Sequence, residues 1–82
     1  MPLVEFDEGI ASDLGRDERV LLARFDGRLA AVLVCLSKRN RSSENRWYLE
    51  SGFGPCSREG LIFKSRAQIA VWIRDQFRTA TT

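Results

Sequence analysis

The chain has 82 residues, with 13 Lys or Arg against 11 Asp or Glu, a formal net charge of +2, two Cys and no His. That length allows one compact domain, which buries only about 60% of the surface its unfolded chain exposes, and it excludes a two-domain enzyme with a deep cleft. Without His there is no side chain that titrates near neutrality unperturbed, no Cys/His zinc site and no His-activated nucleophile; no cofactor is called for.

An apolar fraction of 44% and a charged fraction of 29% are ordinary for a globular chain and argue against general disorder. Charge is distributed unevenly. Glu5, Asp7, Glu8, Asp13, Asp17 and Glu18 face Arg16 alone in residues 1–18, while residues 19–82 carry twelve basic and five acidic side chains. An acidic N-terminal segment is thus joined to a basic body, and the two either attract separate partners or neutralise each other in the fold. Eleven of the thirteen cations are Arg, which suits planar, bidentate recognition of phosphate or carboxylate; a GC-rich coding sequence gives the same bias with no functional meaning. The N-terminus lacks the basic start and long apolar stretch of a signal peptide. The longest apolar run, Leu29 to Leu36, is too short to cross a bilayer. The expected location is the cytoplasm, with no membrane partner.

In chain order, Val4 and Phe6 alternate with charged neighbours as in a short, half-buried strand. Gly9 and Gly15 bracket Ile10 to Leu14, where one or two helical turns are expected. From Arg19 to Leu36, two apolar runs flank Asp26-Gly27, a strong short hairpin signal because a type I′ turn needs positive φ at both central residues. That register sets Phe25 opposite Arg28, Ala23 opposite Ala30 and Leu21 opposite Val32. Leu29, Val32, Leu33 and Leu36 also fit a helix, but the Val residues and the turn favour strand. Residues 37–45 form a polar loop. A third strand is expected at Arg46 to Glu50, a turn-rich loop from Ser51 to Gly60, and a short fourth strand at Leu61 to Lys64. The C-terminal helix is predicted over 65–78. Ser65 and Gln68 form a capping box, and Ile69, Trp72, Ile73 and Phe77 form an apolar stripe. The expectation is a single α+β domain: an acidic segment 1–18, a hairpin-rich antiparallel sheet of three or four strands over 19–64, and the amphipathic helix 65–78 packed on one face.

Alternation places Val20, Leu22, Leu29, Ala31, Leu33 and Cys35 on one face of the hairpin, and Leu21, Phe25, Ala30, Val32, Val34 and Leu36 on the other. Both faces are apolar and only one helix is available, so a second cover is required: the N-terminal segment, a second copy of the chain, or a partner protein. A homodimer is favoured.

Candidate binding residues are the cations of the 37–46 region, Lys38, Arg39, Arg41 and Arg46, beside Trp47 and Tyr48, with Arg58, Arg74 and Arg78 extending the basic surface. Mobile cations meet phosphates and exposed rings stack on bases; the alternative is a solvated loop with Trp47 in the core. Ser51-Gly52-Phe53-Gly54 contains the Gly-Phe-Gly centre of the RNA-recognition-motif signature, but Ser51 and Pro55 stand where a cation and an aromatic belong. Cys35 is expected to be a buried hydrophobe and Cys56 a partly exposed thiol, with a disulfide between them the less favoured alternative. Cys56 beside Arg58 is the one candidate nucleophile, and no acid or base accompanies it.

Gly60-Leu61-Ile62-Phe63-Lys64-Ser65-Arg66-Ala67 through Trp72 is similar to the arm-binding domains of phage-type tyrosine recombinases, in which a Gly-x-x-Phe, small-polar, basic, Ala, Trp stretch opens a helix. That resemblance implies a small sheet lying in a DNA groove. In size, absence of catalytic equipment, hairpin-rich sheet and lopsided charge, the whole chain resembles small phage or mobile-element inhibitors of the anti-CRISPR type. That resemblance implies a non-enzymatic protein that binds a multi-subunit nucleoprotein complex and blocks its DNA-binding or nuclease-recruiting surface. The competing expectation is a small DNA- or RNA-binding module using the basic, aromatic-flanked sheet and loop.

Overall fold

The structure, a computed structural model, describes residues 3–13, 16–35 and 46–80, with 11–13 and 16–18 in backbone only. Five strands, β1 (Val4–Asp13), β2 (Arg16–Phe25), β3 (Arg28–Cys35), β4 (Trp47–Gly52) and β5 (Ile62–Phe63), form one antiparallel sheet in chain order, and α1 (Arg66–Ala80) closes the chain. The α+β architecture read from the sequence is therefore the observed one. The fifth strand comes from the N-terminal segment. Residues 10–13, expected to turn helically, continue β1 to Asp13, paired with Arg16 across the hairpin. Ala, Ser and Gly have little strand preference of their own; the ladder with β2 holds them extended. The boundary after residue 18 thus falls inside β2.

Asp26 and Gly27 both have positive φ, 54° and 79°, as the type I′ turn requires. Phe25 faces Arg28 and Arg24 faces Leu29, after which a β-bulge inserts Ala30, so that Ala23 meets Ala31 and Leu21 meets Leu33. The expected pairs Ala23–Ala30 and Leu21–Val32 are corrected by one residue, and one residue of slip exchanges the faces. The helix-facing side of the sheet accordingly holds Leu21 and Ala23 with Ala31 and Leu33, all with no exposed surface. Two small side chains in succession permit the bulge, and the Ala30 carbonyl accepts from Phe53 N at 2.9 Å.

Ala23, Ala31 and Gly52 lie side by side across three strands and make a shallow floor. A single 3₁₀ turn, Gly54–Cys56, settles there between sheet and helix. Over it, α1 buries Ile69 and Ile73 completely, with Trp72 and Phe77 at the margin of the core. Phe77 stacks on Phe25 at 4.2 Å between centroids, and Trp72 tilts against Phe63 at 5.4 Å. Gln68 N donates to Ser65 Oγ at 3.1 Å, and Lys64 N donates to Gln68 Oε1 at 2.8 Å. The capping box forms, although its return bond lands one residue before the cap. The helix runs two residues further than expected, through Thr79 and Ala80.

Candidate interaction surfaces

Backbone alternation decides what each strand offers. In β4, Trp47 and Leu49 point under the helix and Tyr48 points away. Trp47 is only 5% exposed, and the Arg19 guanidinium lies 5.6 Å from its ring centroid. Its ring is therefore withdrawn from any stacking partner. Of the predicted cations, Lys38, Arg39 and Arg41 lie outside the described residues. Arg46 is half-buried just before β4, whereas Arg58 is exposed in the connection to β5. The six residues of β4 separate them, roughly 20 Å of extended chain. Arg74 and Arg78 are exposed on α1 one turn apart, and Arg78 forms an ion pair with Asp75.

The sequence reading missed a polar node that the topology assembles. Glu8 on β1 accepts from Arg19 Nε at 2.8 Å and pairs with Arg66, the first residue of α1 and 58 positions away. The bond from Arg19 to Glu8 holds that guanidinium still more firmly in its charged form, with the charge of Glu8 adding to the effect. Asp7 pairs with Arg24 across the hairpin. Part of the acidic segment is thus neutralised by the body. Such partly exposed pairs contribute about 0–1 kcal/mol each; of them, only Glu8 with Arg66 ties the helix start to the sheet. No local signal marks Glu8, because its partners are brought to it only by the completed sheet.

Cys56, expected to be partly exposed, is fully buried beneath α1, and burial pushes its thiol up to about 11. It is protonated at neutral pH and therefore a poor nucleophile. Cys35 is half-buried at the end of β3, and both thiols are free. Among the described residues, no three His, Cys, Asp or Glu side chains gather closely enough to hold a metal. A shallow groove of about 590 Å³ runs between β5 and α1, lined by Ile62, Val71 and Trp72 with Gln68 and Asp75 among its polar groups.

The side of the sheet away from α1 is apolar and half-buried. Val20, Leu22, Val32, Val34, Tyr48 and Ile62 fall on it by register, and Leu29 joins them at 41% exposure. The N-terminal segment, one of the three covers the sequence suggested, lies in the plane of the sheet as β1 and covers neither face. Among the described residues, no helix is long and apolar enough to cross a membrane. Comparison with protein-family models, with characterised proteins and with solved structures finds no match to this chain.

Proposed function

We propose that this protein is a non-enzymatic inhibitor of the phage, anti-CRISPR-like kind, which binds a nucleic-acid-handling complex and occupies the surface that complex uses for DNA or for nuclease recruitment. The supporting observation is the β1–β2 hairpin. Its two ten-residue strands carry six carboxylates against three guanidiniums, and β1 forms an edge of the sheet. Asp7 and Glu8 are held by guanidiniums, but carboxylates outnumber guanidiniums two to one along the two strands, which supplies the sign of charge and, in the extended backbone, the linear form that a phosphate-reading groove accepts. Charges on an edge strand also discourage indiscriminate strand pairing. The protonated, buried Cys56 and the absence of His favour a role in occlusion over chemistry.

The competing nucleic-acid reading draws less support. Trp47 is capped by Arg19, and the open sheet face is apolar with an acidic edge. The test is competition on purified CRISPR surveillance complexes. Wild-type protein is expected to lower the affinity of at least one complex for its duplex target, less so at higher salt, and Glu5→Lys with Asp13→Lys is expected to reduce that effect at least tenfold. Undiminished DNA binding together with undiminished nuclease recruitment by every complex tested overturns the proposal. A gel shift of free duplex by the protein alone returns the function to direct nucleic-acid binding.

A further inference from the structure

We propose that the groove between β5 and α1 is a docking slot for an extended segment of another protein, which adds to the sheet as a short sixth strand and carries two apolar side chains followed by a cation. β5 is the edge of the sheet opposite β1. Leu49 N donates to the Leu61 carbonyl at 2.8 Å, so Leu61 directs its carbonyl at β4. Backbone groups alternate sides along a strand, and those of Ile62, which stands opposite Tyr48, therefore face outward. The next outward donor, Lys64 N, is taken by Gln68 Oε1. Ile62 is thus left with both main-chain groups open, beside a groove of about 590 Å³.

The helix supplies the other wall. Ile69 and Ile73 face the sheet and are fully buried, while Gln68, Val71, Trp72 and Asp75, spaced by three and four, line the groove. This second stripe overhangs the place where a sixth strand would run. Val71 is 57% exposed and Ile62 53%, so each wall keeps an uncovered apolar side chain. An open strand edge beside an apolar groove suits strand addition, in which main-chain bonds give affinity and alternate side chains give specificity. A residue exchanging both bonds with Ile62 sends its two neighbours to the helix side, against Val71 and Trp72. The helix runs back over the sheet from Phe63, touched by Trp72, to Phe25, touched by Phe77. It therefore runs parallel to an incoming strand that is antiparallel to β5. Asp75, the one charged side chain in the lining, lies toward the C-terminal end of that strand. Its exposed pair with Arg78 is weakly held, and a cation at that end completes the match. A second copy of this chain pairing through β5 would bring its own overhanging helix into the same slot.

The probe is the peptide acetyl-Leu-Thr-Leu-Thr-Lys-amide, titrated into the full chain and followed by tryptophan fluorescence, since Trp72 is half-buried at the groove. Saturable binding with a Kd of about 1 mM or tighter is expected. Replacing the Lys of the probe by Glu is expected to weaken it at least threefold. Val71→Asp, a change at an exposed position, is expected to weaken it at least tenfold with unchanged far-ultraviolet circular dichroism. Methylating the nitrogen of the first Thr of the probe removes its bond to the Ile62 carbonyl without touching the protein, and is also expected to cost at least tenfold. No saturation by about 10 mM probe overturns the proposal. So does equal affinity for the methylated probe, which would reduce the slot to apolar contact. Self-association of the protein alone that Val71→Asp abolishes also overturns it, by giving the slot to a second copy. The acidic hairpin lies at the opposite edge, so the slot stands or falls separately from it.

Discussion

Among the described glycines, Gly52 has the least room for a side chain. A Cβ added there would stand 1.6 Å from the carbonyl oxygen of Cys56, a backbone atom that cannot step aside without displacing the 3₁₀ turn. Its constraint is close packing, whereas at Gly27 it is the positive φ of the turn. Gly52→Ala is expected to destabilise the fold by about 3 kcal/mol or more in urea unfolding. That is a large share of the stability of a domain this size, about 4–12 kcal/mol.

Cys56, whose carbonyl meets that floor, provides a second residue-scale prediction. Burial raises its folded pKa to about 11, above the ordinary thiol value, so the protonated form is the one the fold favours. Its contribution is complete below the unfolded pKa and is lost as pH climbs through the folded one, because the unfolded chain releases the proton first. The stability gap between wild type and Cys56→Ala should therefore narrow from pH 8 to pH 10.5 by paired urea titrations. An unchanged gap would mean that the thiol is not buried as described.

At the scale of elements, the helix shows how much can be read locally. Its cap, stripe and start were legible because each rests on residues within a few positions of one another. Ser65→Ala removes the acceptor for Gln68 N and is expected to cost about 1 kcal/mol, with Ser65→Asp close to wild type by thermal unfolding. The β2–β3 turn was legible for the same reason. Its register was not, since in the run from Leu29 to Cys35 almost every residue is apolar and no break in period announces the bulge at Ala30. β1 past Phe6 was hidden for a different reason. Gly9, Ala11 and Ser12 carry no strand signature, and only pairing with β2 keeps them extended. The candidate cations could be named by type from the sequence. Where they stand depended on strand ends and helix faces, and the node of Glu8, Arg19 and Arg66 depended on three elements meeting.

Taken whole, the molecule is a single sheet with a helix on one side, 42 Å in its longest dimension and 20 Å in its shortest. The sequence's excess of apolar strand residues over helical cover was a correct sign of this asymmetry, even though the bulge exchanged which residues lie on which side. What the chain could not reveal was that its acidic beginning would become an edge strand instead of a lid. Two properties follow at this scale from different parts of one surface: a charged rim at β1, and an apolar plane behind the sheet.

Arg66 holds the start of α1 to Glu8, and Phe77 holds its later turns to Phe25, so the helix closes upon a hairpin made well before it. On the ribosome, the early strands must wait for residues 69, 73 and 77 to emerge before Leu21 and Leu33 lose their water. Contacts spanning so much of the chain slow folding, and through that interval the nascent sheet has two wet apolar sides and depends on its acidic rim to resist aggregation.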